Sequence, residues 1–218
     1  MWSDVAAKIK ICGLLRAEDA ARAAEAGASY LGVVFAGGPR AVTVDQAREI
    51  VVAGGGVPVL GVFAEQSVEA ILQVRDQAGL SGAQLHGPYS RSEAERLRAA
   101  GLQVWRVVRI AAPSDLDSLV LAVPESDAVL VEPRVSSSPG GAGVPLELAV
   151  AREARGRLAG HPMALAGGLT PETVSQALAL VRPDIVDVSS GVERQPGIKD
   201  PKKIARFVEA VVAHSPVT

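Results

Sequence analysis

Short apolar runs alternate with longer stretches rich in Ala, Leu, Glu and Arg at helical spacing, and the alternation occurs eight times along the chain. The runs are KIKICGL (8–14), YLGVVF (30–35), VPVLGVF (57–63), GAQLHG (82–87), QVWRVVRI (103–110), AVLVEP (128–133), MALAGGL (163–169) and IVDVSS (185–190). Nearly continuous apolar runs of this length suit strands buried on both faces, as in a parallel sheet. The stretches between them carry helix punctuation. RAEDAARAAEAG stops at Gly27, TVDQAREIV opens with Thr43 and Asp45, SVEAILQVRDQAG runs from Ser67 to Gly79, and TPETVSQALALV offers Thr170 as N-cap with Pro171 at the first helical position.

Strand followed by helix eight times, with no strong linker in 218 residues, predicts a closed (β/α)8 TIM barrel, a single domain over residues 1–218. The competing fold is an open doubly wound sheet, which often carries a glycine fingerprint after its first strand. KICGLLRAED has one glycine only. The low-complexity patch RVSSSPGGAG (134–143) predicts a mobile loop.

Composition narrows the partners. A net charge of -2 with interspersed basic residues gives no stripe for a polyanion, so nucleic acid is not expected. No apolar run approaches the roughly 20 residues of a membrane span, so no membrane partner is expected either. A single cysteine and the absence of a signal-like start predict a cytoplasmic protein. Both a monomer and a homodimer fit a barrel of this size.

Barrel sites lie at the carboxyl ends of the strands, so the residues closing each run are the ones to inspect. They are Cys12 after the first, Arg40 after the second, Gln84 and His86 at the fourth and Glu132 at the sixth. Read locally, a lone cysteine is a small buried hydrophobe; counting strands moves Cys12 to the mouth instead. His86 reads equally as a structural hydrogen-bonding residue or a substrate contact. The seventh and eighth runs end in AGGL and DVSSG, where Gly167, Gly168, Ser189, Ser190 and Gly191 form a phosphate cradle, with a nearby helix N-terminus expected to add its dipole. Asp187, inside the last run, reads as a supporting acid that braces neighbouring loops. Arg106 and Arg109 alternate with valines in a run that should be buried. One of them should point inward and need a carboxylate partner such as Glu132 or Asp127.

The words KICG (10–13), GPRAVT (38–43), GVF (61–63), QLHG (84–87), GGAG (140–143), LAGGLTPETV (165–174) and DVSSGVERQPGIKD (187–200) occur in order over nearly the whole chain. In these the chain resembles the phosphoribosylanthranilate isomerase family of tryptophan biosynthesis. The resemblance implies an Amadori rearrangement of a small phosphoribosyl substrate, with no cofactor and no metal. It puts the general base on Cys12 and the general acid on Glu132. It also assigns Arg40 to the anthranilate carboxylate and the phosphate to Gly167, Gly168, Ser190 and Gly191. Gln84 and His86 are expected at the same mouth as substrate-binding residues because of their place at the end of the fourth run. Physically, the thiol would need only a modest downward shift from nearby positive or donor groups, Arg40 among them, and burial would raise the Glu132 carboxyl into the range of an acid. Three positions depart from the family pattern: Glu132 stands for the usual aspartate, Leu146-Glu147-Leu148 for Phe-Asp-Trp, and Leu15 for threonine. A histidine-pathway phosphoribosyl isomerase is the alternative in this fold, and a catalytically silent phosphate-binding paralogue the alternative of another class. The first is disfavoured because the first strand ends in Cys12 rather than a carboxylate.

Overall fold

The computed structural model describes residues 6–134 and 146–214. Eight parallel strands close on themselves in chain order: β1 (Lys8–Ile11), β2 (Tyr30–Val34), β3 (Val59–Phe63), β4 (Gly82–Leu85), β5 (Gln103–Ile110), β6 (Ala128–Pro133), β7 (Met163–Leu165) and β8 (Ile185–Val188), with β8 paired back to β1. The helices α1 (Ala17–Glu25), α2 (Val44–Ala53), α3 (Val68–Ala78), α4 (Arg91–Ala99), α5 (Asp117–Ala122), α6 (Leu148–Arg157), α7 (Val174–Val181) and α8 (Pro201–Ala213) pack outside. A small hairpin of β9 (Glu193–Gln195) and β10 (Ile198–Lys199) precedes α8. All eight expected strands are present in a (β/α)8 barrel. Among the described residues, no helix is long and apolar enough to cross a membrane.

Each strand is buried on both faces because its two sets of side chains meet different neighbours. One parity, including Ile9, Ile11, Leu31, Val33, Val129 and Val131, packs against the helices. The other fills the lumen with Tyr30, Leu60, Trp105, Ala128, Leu130, Ala164, Ala166 and Ile185. Trp105 meets Tyr30 edge-on at 5.0 Å between ring centroids, and the three alanines leave the lumen room for that large ring. Fully burying side chains of this kind contributes about 1.5–3 kcal/mol each.

The helix starts follow the capping residues. Thr43 and Ser67 accept from the backbone of Gln46 and Ala70, and Gln46 closes a capping box on Thr43. Gly79 ends α3 in the left-handed conformation and Gly27 follows α1 at φ +103°. The expected start of the seventh helix needs correction. Thr170 accepts from Glu172 N–H and takes a separate turn, and α7 begins at Val174 with Thr173 as its N-cap. Thr170 and Thr173 satisfy one another's turn, which delays the helix by about one turn. Most of the low-complexity patch, residues 135–143, lies outside the described residues. Just beyond it, Leu146 is buried and Leu148 packs against the outer core, so the substituted Leu-Glu-Leu stretch still supplies apolar contacts.

Strand length and register also decide the arginines. β5 is eight residues long and runs past Gln84 to the mouth, where Arg109 pairs in register with Glu132 of β6. Arg109 Nε donates to Glu132 Oε1 at 2.9 Å. Arg106, of opposite parity, faces the helices and meets Glu125 at 3.4 Å, while Asp127 is taken by Arg98. The expected carboxylate is therefore right for Arg109, and Asp127 is not the partner of either strand-5 arginine.

Candidate active site

Cys12 is the first residue after β1, and its N–H still donates to Val188 O at 2.9 Å, so the ladder with β8 fixes it. Gly13 then turns the chain at φ +71°. A Cβ there would stand 2.6 Å from Arg40 Cδ and 2.8 Å from Ser189 Oγ. Glycine after the cysteine thus lets the loops after β1, β2 and β8 meet. Leu15, in place of a hydroxyl, puts its Cδ1 against Gly197 of the β9–β10 turn.

Beneath the mouth lies a cluster that joins Gln84 and Asp187 through a residue not singled out from the sequence, Lys10. Lys10 shares the parity of Cys12, is fully buried in the lumen, and reaches Gln84 Oε1 of β4 at 2.9 Å. Both oxygens of Asp187, its register neighbour on β8, accept from its Nζ at 3.0 Å. Asp187 braces Lys10 inside the barrel rather than the neighbouring loops. Burial favours loss of the Lys10 proton, yet Asp187 and then Cys12 outweigh it and hold the ammonium above the ordinary lysine value. Gln84 is nearly inaccessible, in the layer below the mouth.

The Cys12 thiol departs from expectation. Burial pushes it up, Lys10 and more weakly Lys199 pull it down, Asp187 pushes it up, and burial wins. The expected downward shift is absent because the sulfur is enclosed and the nearest positive charge is already paired with a carboxylate. Glu132 behaves as expected: burial raises its carboxyl, against the opposing Arg109 bond and charge. His86 Nδ1 faces Arg109 Nη2 and lies 3.7 Å from Glu132 Oε1. Burial first, then the charges of Arg109 and Lys10, push His86 down to about 3, so the imidazole is neutral and Nδ1 accepts from the guanidinium. The structure gives His86 a protein partner at the mouth.

Arg40 is held by Glu193, with Nε and Nη2 donating to the two carboxylate oxygens at 2.8 and 2.7 Å. Glu193 also accepts from Lys199 Nζ at 2.9 Å, and the same ammonium donates to Ser189 O at 3.1 Å. A continuous ionic chain therefore links Arg40 to the loop after β8. Glu193, Lys199 and Lys10 were not assigned from sequence, and of these strand parity offered a signal for Lys10 alone.

The two glycine loops touch. Gly167 and Gly168 adopt φ +101° and +66° after β7, and a Cβ on Gly191 would stand 1.9 Å from Leu169 O. Gly167, Gly168, Ser189, Ser190 and Gly191 thus fall in two packed loops at the same end of the barrel. The element after β8 is only a three-residue turn, Ser190–Val192, so the expected helix dipole at that point is reduced to a single turn.

The family model for N-(5'phosphoribosyl)anthranilate (PRA) isomerase matches residues 9–210. The chain belongs to this family. N-(5'-phosphoribosyl)anthranilate isomerases of Rubrobacter xylanophilus and Pseudomonas fluorescens are 40% and 39% identical to it over 206 and 208 residues, each match covering 94% of this chain and 98% and 96% of theirs. The crystal structure of phosphoribosyl anthranilate isomerase from Thermotoga maritima superposes with a TM-score of 0.86 at 30% identity, covering 95% of this chain and 99% of that one. A phosphoribosyl anthranilate isomerase solved in complex with reduced 1-(o-carboxyphenylamino)-1-deoxyribulose 5-phosphate superposes at 0.83 with 29% identity over 95% and 99% of the two chains. Membership in the phosphoribosylanthranilate isomerase family makes this chain an enzyme, an isomerase.

Proposed function

We propose that the chain converts N-(5-phosphoribosyl)anthranilate to 1-(2-carboxyphenylamino)-1-deoxyribulose 5-phosphate in tryptophan biosynthesis, with Glu132 as general acid and Cys12 as general base. The observation that carries the assignment is that a carboxyl raised by burial and a buried thiol close β6 and β1 at the same mouth as the two packed glycine loops.

Protonated Glu132 gives its proton to the ribose ring oxygen as the C1–O bond breaks, and the anthranilate nitrogen lone pair forms the C1=N iminium. The Cys12 thiolate then takes the proton from C2. The C2–H electrons form C1=C2 and the C=N pair returns to nitrogen, giving an enolamine. Loss of the C2 hydroxyl proton and protonation at C1 give the ketone. C2 is oxidised and C1 reduced within one molecule, so no external electron carrier is consumed. Arg40 has given only two of its five N–H donors to Glu193, which leaves Nη1 for the anthranilate carboxylate. The backbone of the Gly167–Gly168 and Ser190–Gly191 loops binds the phosphate.

The labile substrate is made in place from anthranilate and phosphoribosyl pyrophosphate, and its fluorescence is followed on adding the protein. Turnover is expected, with Cys12→Ala and Glu132→Gln each losing on the order of 100-fold or more in kcat. Full activity of Glu132→Gln would sink the acid assignment. Glu132→Asp shortens the arm away from Arg109, and a gain in rate would show that the longer side chain is a handicap. Ligand binding without turnover would mark a silent paralogue.

A further inference from the structure

A lysine in the lumen of a barrel is expensive. The effective desolvation penalty of a buried ion is on the order of several kcal/mol, and an apolar side chain such as methionine would fill the same space without it. Lys10 is nevertheless held at 0% exposure by three oxygens, the two of Asp187 and Oε1 of Gln84. It stands two residues before Cys12 with the same strand parity. The two side chains converge over Gly32 of β2, where a Cβ would meet Cys12 Sγ at 2.7 Å and Lys10 Cε at 3.2 Å. Gly32 is thus the notch in which thiol and lysine stem lie side by side.

We propose that Lys10 is a positioning residue for Cys12: its ammonium, locked by Asp187 and Gln84, is the fixed counter-charge of the Cys12 thiolate. The inference rests on the reading of Cys12 as the base. The charged groups that act on the thiol are Lys10 on its own strand, Asp187 on β8, Lys199 on β10 and Arg40 after β2. Of the cations, Lys10 acts most strongly, and more strongly than the Asp187 carboxylate behind it, so the buried pair presents its positive side to sulfur. Arg40 and Lys199 share Glu193 and are partly neutralised by it. Gln84 supports the same end, since its amide oxygen fixes Nζ without adding a charge that would cancel it.

Cys12 is the only cysteine in the chain, so thiolate absorbance in the ultraviolet reports on it without any need for turnover. The protein is titrated alongside Lys10→Met and Asp187→Asn. Lys10→Met should move the thiol titration up by about one pH unit or more, at least tenfold less thiolate at a fixed pH, while Asp187→Asn should move it down. Opposite movements are not produced by loosened packing. Where Lys10→Met leaves Asp187 unpaired and the chain fails to fold, the double variant Lys10→Met, Asp187→Leu removes both charges, and the thiol should again titrate at higher pH. An unchanged thiol titration in the folded Lys10 variants, or movement of both single variants in the same direction, overturns the proposal. In turnover, Lys10→Met should lower kcat tenfold or more with KM nearly unchanged. A chain whose thiol moves as stated but which does not process phosphoribosylanthranilate retains the coupling and fails only the proposed reaction.

Discussion

Lowering the pH from 7 to 5 should destabilise this protein through His86. The imidazole is enclosed, its side chain 7% exposed, and it is pushed down to about 3 by burial and by the charges of Arg109 and Lys10. In the unfolded chain it titrates at about 6.5. The folded value lies below the unfolded one, so the unfolded state takes up the proton first as the pH falls. Stability linked to His86 is therefore complete above about 6.5 and is lost progressively toward 3. At about 1.4 kcal/mol per pH unit, the loss between pH 7 and pH 5 is roughly 2 kcal/mol. Glu132 works in the opposite direction, because its raised carboxyl favours the folded state as the pH falls through its range. His86→Asn isolates the histidine: the Asn Oδ1 takes nearly the place of Nδ1, can accept from Arg109, and does not titrate. Urea unfolding of both proteins at pH 7 and pH 5 is the assay. The unmodified protein should lose about 2 kcal/mol more than the variant over that interval. Equal losses would refute the claim that His86 is held neutral.

Gly191→Ala places a Cβ 1.9 Å from Leu169 O, a backbone atom that cannot rotate aside. The loops after β7 and β8 must separate, so a destabilisation of about 1–3 kcal/mol and a rise of KM by about tenfold or more are expected in unfolding and steady-state assays; Gly156→Ala in α6 meets nothing within 4 Å and should instead stabilise by about 0.5–1 kcal/mol. Glu193→Gln removes the fork that holds Arg40 and the charge that holds Lys199, and KM should rise about tenfold with kcat little changed, an unaltered KM counting against Arg40 as the carboxylate ligand.

The barrel was legible because strands buried on both faces must be apolar throughout, and eight such runs leave little else to build. Their ends were less legible. The runs written as MALAGGL and KIKICGL stop being strand at Leu165 and Ile11, where Gly167, Gly168 and Gly13 turn the backbone to positive φ. Cys12, Glu132 and His86 could be placed by counting, since each closes a run. Lys10 was hidden by its context, because a lysine flanked by isoleucines reads as an exposed position. Parity contained the correction: if Cys12 faces the mouth, Lys10 faces the lumen, and Asp187 in IVDVSS is the acid it needs. Glu193 and Lys199 lay beyond the reach of parity. They come together through a short irregular hairpin whose bulge no periodicity marks.

Burial alone cannot prepare this mouth for the proposed reaction. It pushes both Cys12 and Glu132 toward the protonated form, which suits an acid and opposes a base. The two must be separated by unequal surroundings, and the barrel provides a different cation arrangement for each. Arg109 divides itself between the Glu132 carboxyl and the neutral His86. When Glu132 carries its proton, the guanidinium keeps a neutral acceptor and need not swing into the substrate space. Arg109 thus anchors Glu132 through Oε1, while burial favours its protonated form. Lys10 has no comparable freedom: Asp187 and Gln84 hold its Nζ in the lumen, which is what the proposed counter-charge of the Cys12 thiolate requires. A bound substrate that displaces water would strengthen both effects, since each charge would then act through a less polarisable medium. In the proposed reaction the acid is thus the group whose cation has a second, neutral acceptor, and the base the group whose cation is locked in place.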